Sequence, residues 1–92
     1  MIRSFKGKAL ADLWTLGKTG RIDARLRRRI WARLDRLNVA ETPQEMNLPG
    51  FDFHPLKGFA PVRYAVHVNG PWCITFEFND GDAYRVDLEQ YH

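Results

Sequence analysis

The stretch from Val62 to His92 constrains the fold most. Val62, Tyr64, Val66 and Val68 alternate with Arg63, Ala65 and His67. Trp72, Ile74, Phe76 and Phe78 alternate with Cys73, Thr75 and Glu77, and Tyr84, Val86 and Leu88 alternate with Arg85, Asp87 and Glu89. Successive side chains of a strand point to opposite faces, so each run reads as a strand buried on one side. Asn69-Gly70-Pro71 and Asn79-Asp80-Gly81 separate the runs as hairpin loops, giving a three-stranded antiparallel meander.

Register follows from keeping one face apolar. A two-residue loop at Asn69-Gly70 sets Val66 beside Cys73 and mixes the faces. A three-residue loop, Asn69 to Pro71 with Gly70 at positive φ, sets Val66 opposite Ile74 and His67 opposite Cys73. The other face then carries Arg63, His67, Cys73, Thr75, Glu77, Arg85, Asp87 and Glu89, and that face is where a site would lie.

The first half of the chain supplies the cover. Leu10, Leu13 and Trp14 make an apolar stripe on a helix expected over 5–16, with Gly17 just past its end. Ile22, Leu26, Ile30, Leu34 and Leu37 recur at three- and four-residue steps on a second helix over 22–38, widened by Trp31. The Lys18-Thr19-Gly20 link folds the two back as a hairpin. Met1 to Ser4 suits a short strand, and Thr42-Pro43-Gln44-Glu45 has the form of a capping box opening one helical turn. Phe51 and Phe53, alternating with Asp52 and His54, begin a further strand after the Pro49-Gly50 turn. The expected fold is α+β: a single domain over residues 1–92, with an N-terminal helical hairpin packed on a mostly antiparallel sheet.

Ninety-two residues bury roughly 60–65% of their unfolded surface, enough for one core. The chain is 45% apolar, sufficient without staples, and its lone Cys73 forms no internal disulfide, which points to a reducing cytoplasm. No apolar run approaches the ~20 residues of a membrane span, so no membrane is expected among the partners. No secretory leader is expected from Met1-Ile2-Arg3-Ser4-Phe5.

The net charge of +3 hides an asymmetry. Residues 1–40 hold 11 Lys/Arg against 3 Asp/Glu; residues 41–92 hold 3 against 8. Arg25, Arg29, Arg33 and Arg36 form a row behind the apolar stripe of the second helix, as expected of a surface for a polyanion.

The chemistry-bearing candidates are His54, Lys57, Arg63, Arg85, Tyr91 and His92. The histidines at 54, 67 and 92 lack metal-ligand spacing, so no metal or other cofactor is expected. RNA cleavage suits such a set. The substrate's own 2′-hydroxyl attacks the phosphodiester, and the protein supplies a base, an acid and cations. Histidine suits the proton transfers, Lys and Arg the phosphate charge, and Tyr a hydrogen bond or a stacking surface. His67 and Thr75 read as spectators.

Ile2-Arg3-Ser4-Phe5-Lys6, Leu56-Lys57-Gly58, Trp72-x-Ile74-Thr75-Phe76, Asp80-Gly81-Asp82-Ala83-Tyr84 and the closing Tyr91-His92 together resemble the HigB toxins of the RelE/ParE superfamily of type II toxin–antitoxin systems. The resemblance runs end to end. It implies a RelE-like fold and a ribosome-dependent endoribonuclease that cuts mRNA in the decoding A site. It also implies a HigA-like helix-turn-helix antitoxin as partner, through which alone the toxin meets operator DNA. Carried over by position, His54, Lys57, Tyr91 and His92 are catalytic, and the arginine row of the second helix holds ribosomal RNA. The resemblance also exposes two departures. Family members commonly carry an arginine where Cys73 stands and an acidic residue where Gln90 stands. Arg63 and Arg85, on the same face by parity, are candidates to supply the missing cation. The alternative expectation is a catalytically weakened toxin homologue that still binds antitoxin or ribosome. A gyrase-poisoning, ParE-like activity fits the His54, Lys57, Tyr91 and His92 set poorly.

Overall fold

The computed structural model describes residues 1–91. Two helices, α1 (Lys8–Leu16) and α2 (Ala24–Val39), precede a 3-10 turn at Pro43–Met46. Four strands follow: β1 (His54–Leu56), β2 (Arg63–Asn69), β3 (Trp72–Asn79) and β4 (Asp82–Gln90). They form one antiparallel sheet in the order β1-β2-β3-β4. This is the expected α+β architecture, with both helices on one face of the sheet.

Helix ends differ from the sequence pattern by a few residues, for identifiable reasons. α1 starts at Lys8 rather than Phe5 because the preceding backbone is engaged at the sheet edge: Lys6 N–H donates to the Val86 carbonyl (2.9 Å) and Arg3 N–H to that of Ala83 (2.8 Å). The N-terminal segment thus runs parallel to β4, with Ile2 beside Ala83 and Phe5 beside Val86. Gly17 ends α1 at φ +77°, the left-handed conformation that glycine adopts without steric cost. α2 begins after Asp23, whose carboxylate accepts from the Arg25 N–H and holds the first turn. Thr42 and Glu45 form the capping box.

One continuous core lies between helices and sheet. Leu10 and Leu13 from α1 meet Ile30, Leu34 and Leu37 from α2, with Val66, Val68, Ile74, Phe76 and Val86 from the sheet. Phe53, Tyr64 and Phe76 stack in sequence along its edge, with ring centroids 5.4 and 5.7 Å apart.

Three local features depart from simple alternation. β1 begins at His54, not Phe51, because Asp52 has φ +45° and breaks the extended run. Phe51 is buried in the turn, and its carbonyl accepts from His67 N–H. The β2–β3 register is the expected one, Val66 opposite Ile74 and His67 opposite Cys73. Its extra residue is a bulge between His67 and Asn69 rather than a third loop residue, and Gly70 turns the chain at φ +56°.

The third departure reverses a face assignment. The β3–β4 register shifts between Thr75 and Glu77, where Arg85 sits at φ +51° as a bulge. Beyond it the parity flips. Ala83 and Val86, three residues apart, both enter the core, while Tyr84 pairs with Glu77 on the opposite face. Tyr84 therefore does not line up with Val86 and Leu88, as strict alternation had it.

Candidate active site on the polar face

The face away from the helices is polar, but it is not open. Ala65, Cys73 and Thr75 are buried on it, and Arg63 is only 5% exposed. A buried guanidinium must be neutralised and hydrogen-bonded. Arg63 Nη1 donates to Glu77 Oε2 at 2.9 Å. Its Nη2 donates to Thr75 Oγ1 at 2.9 Å and to the Arg85 carbonyl at 3.0 Å, and lies 3.9 Å from Glu89 Oε2. The Thr75 hydroxyl in turn donates to Glu89. Arg85 Nε reaches the same Glu77 oxygen at 3.3 Å while the rest of its side chain stays 58% exposed.

This network changes what the two arginines can do. The sequence pattern offers both as phosphate ligands. Arg63 instead has its charge matched by Glu77 and Glu89 and holds β2, β3 and β4 together across the face. Arg85 shares Glu77 but keeps a solvent-facing edge. Thr75, read as a spectator, is fully buried at the centre of the network. The sequence did carry a signal: parity puts Glu77 and Glu89 on the face of Arg63, so the carboxylates are its nearest available partners.

His54 and Lys57 lie on the rim. His54, on β1, is exposed and pairs across the sheet with Ala65. Its Nδ1 lies 2.7 Å from the Asp52 carbonyl oxygen. A carbonyl only accepts, so Nδ1 carries the proton. In the uncharged ring Nε2 is then left with a free lone pair. The contact ties the imidazole to the backbone of the turn that leads into β1. Lys57, exposed in the turn after β1, makes no ion pair or side-chain hydrogen bond among the described residues. His67, by contrast, is tied through Nε2 to the Gly70 carbonyl at 3.1 Å.

Tyr91 closes over the far side. Its N–H donates to the Pro71 carbonyl at 2.7 Å, one step beyond the Trp72–Gln90 pair of the β3–β4 ladder. Burial pushes its phenol above the ordinary tyrosine range, and the Glu89 carboxylate adds to the rise, so the hydroxyl keeps its proton at neutral pH. His92 lies outside the described residues.

Cys73 sits between these groups, opposite His67 on one side and Glu89 on the other. It is 6% exposed, rather than on an open surface as parity alone implied. Burial, and then the Asp52 carboxylate, raise its thiol pKa, so it is an uncharged thiol at neutral pH. Gln90 is exposed.

The arginine row of α2 divides in two. Arg33 Nε donates to the His67 carbonyl at 2.6 Å and its guanidinium stacks over Phe51, 4.4 Å from the ring centroid. Arg29 Nη1 donates to the Val68 carbonyl at 3.3 Å. These two satisfy carbonyls around the β2 bulge. Arg25 pairs with its own N-cap, Asp23, and remains exposed, as does Arg36.

A family model for the RelE-like toxin of the type II toxin–antitoxin system HigB matches residues 3–92. The chain belongs to this HigB-like toxin family. Endoribonuclease HigB of Proteus vulgaris is 39% identical over 92 residues, spanning the whole of both chains. A toxin of a type II system has an antitoxin as its partner. No helix among the described residues is long and apolar enough to cross a membrane.

Proposed function

We propose that this HigB-like toxin is a ribosome-dependent endoribonuclease that cuts mRNA in the A site and is held in check by a HigA-like helix-turn-helix antitoxin. The full-length likeness to an endoribonuclease carries the reaction class. The observation in the site that carries the mechanism is the His54 tautomer fixed by the Asp52 carbonyl.

In this reading His54 Nε2 accepts the proton of the substrate 2′-hydroxyl. The resulting oxygen attacks phosphorus and the bond to the 5′-oxygen breaks, leaving a 2′,3′-cyclic phosphate. The protonated Tyr91 hydroxyl donates a hydrogen bond at the phosphate, and His92 supplies the leaving oxygen with its proton. Lys57 and the exposed edge of Arg85 balance the added charge. Arg63 positions Glu77 and Glu89 and does not meet phosphate. Arg25 and Arg36 face ribosomal RNA, with Arg29 and Arg33 contributing only what their carbonyl contacts leave free. Among the described residues the clefts on this face are open to solvent, which supports dependence on the ribosome to present the mRNA.

Toeprinting of a translated mRNA with and without the pure protein tests the reading. Cuts at A-site codons that vanish in His54→Ala are expected. Efficient degradation of naked RNA by the pure protein would contradict ribosome dependence. A second reading has one specific observation behind it: an uncharged thiol stands at position 73, and Arg63 on the same face is already matched by carboxylates. In that reading the protein binds antitoxin or ribosome with weak cleavage, and toeprints would be faint while ribosome binding stayed intact.

A further inference from the structure

The β4 bulge does more than shift register. It moves one aromatic ring onto the polar face. Tyr84 is half-buried, pairs with Glu77, and is not among the hydrophobic residues packed against the core. Beside it run two contiguous clefts of about 530 and about 350 Å³ that share Pro61, Glu77 and Arg85. Tyr84 lines the first. Lys6 and Phe59 line the second, and Phe59 is 45% exposed. The single carboxylate in this groove, Glu77, is held by Arg63 and Arg85. Arg63 is matched by Glu77 and Glu89, so the groove's available positive charge is that of Lys6 and the exposed edge of Arg85.

We propose that this groove is a subsite for a nucleotide flanking the cut, with its base on Tyr84 or Phe59 and its phosphate at Lys6, adjoining the Arg85 edge that faces the scissile phosphate. Exposed rings between cations are the means by which single strands are held without base-pair readout, because every base has a face to stack. The backbone at position 85 supports the same conclusion. A bulge with positive φ is met most cheaply by glycine, and an arginine there retains strain for the sake of its side chain. An apolar peptide would leave Lys6 and the edge of Arg85 without partners, whereas a nucleotide engages both ring and charge. The inference rests on the nuclease reading above and extends it by assigning a part of the RNA to a part of the surface.

The test is single-turnover cleavage on programmed ribosomes, with mRNAs carrying one abasic nucleotide at each position on either side of the cut. For the unaltered protein, one flanking abasic position should slow cleavage by roughly tenfold, the scale of a lost base–aromatic stack. Tyr84→Ala should slow cleavage of intact mRNA by a similar factor and be indifferent to that abasic position, while Tyr84→Phe keeps the original behaviour. Phe59→Ser and Lys6→Glu, at exposed positions, give the same reading if Tyr84→Ala folds poorly. Equal cleavage of intact and abasic mRNAs by the unaltered protein overturns the subsite, as does full activity in all three groove variants. Groove variants that cut normally but lose the antitoxin would make the groove a protein dock and overturn it as well. An unaltered protein that leaves mRNA whole on the ribosome would remove the nuclease reading itself, and the subsite with it.

Discussion

The centre and the rim of the polar face are built from similar residues and behave differently. At the centre, Arg63, Thr75, Glu77 and Glu89 are joined in one network in which each charge has an opposite within reach. At the rim, His54, Lys57 and most of Arg85 face solvent, and His54 is held by one backbone carbonyl. A cation committed to carboxylates inside the fold has little left for a substrate. A cation on the rim keeps its charge available but adds little to stability. The face therefore separates support from chemistry, and variants should divide along that line.

Arg63→Ala should break the comparison most severely. It removes the buried cation of the network, leaving Glu77 with only Arg85 and Glu89 with only the Thr75 hydroxyl, at a cost of about 3–5 kcal/mol. Urea or thermal unfolding measures this, and a loss under 1 kcal/mol would mean the centre is not a structural network. His54→Ala should do the reverse. Stability should stay within about 0.5 kcal/mol, as for an exposed position, while cleavage falls by about 10²–10⁴, the range for loss of a general base. Unfolding midpoints measured beside toeprint intensity decide it.

Cys73→Arg sharpens the boundary, because position 73 lies between the two regions. The Cys73 side chain is buried. Placing a guanidinium there should cost about 1–3 kcal/mol by overpacking, offset in part by Glu89 opposite and Asp52 nearby. The added charge should raise cleavage if the phosphate lacks a cation. Unchanged cleavage in a folded Cys73→Arg protein would show that Lys57 and Arg85 already suffice.

Arg85→Gly is the subtler test. Glycine relieves the positive φ, so stability should hold or rise by up to about 1 kcal/mol despite the lost contact with Glu77. Cleavage should nonetheless drop. A protein that is both less stable and fully active would assign Arg85 to the support instead. The smallest effect concerns α2. Replacing Arg25 and Arg36 with Glu should weaken ribosome binding and flatten its salt dependence, with little change in unfolding. Arg33→Ala should destabilise the fold, since it frees the His67 carbonyl and uncovers Phe51. Identical behaviour of the two sets would mean the row acts as one surface after all.

The sequence by itself determined the helices, three of the four strands, the β2–β3 register and the core. All of these rest on periodicity, and burial on one side imposes a period of 2 or 3.6 wherever the backbone is regular. The resemblance carried by motifs such as Leu56-Lys57-Gly58 named the family later matched over residues 3–92. Irregular backbone left no such trace. The positive φ at Asp52 and Arg85 has no glycine to announce it, so neither the late start of β1 nor the flip of Tyr84 was legible. Parity placed Arg63, Cys73 and Arg85 on one face correctly but carried no information on depth. Only the tertiary structure decided that Arg63 is sealed against Glu77 and Glu89, that Cys73 lies buried, and that Arg29 and Arg33 turn to strand carbonyls. The physical reason is common to all of them. A side chain's direction is local, set by its own backbone, whereas its burial and its partners depend on what other segments bring to the same place.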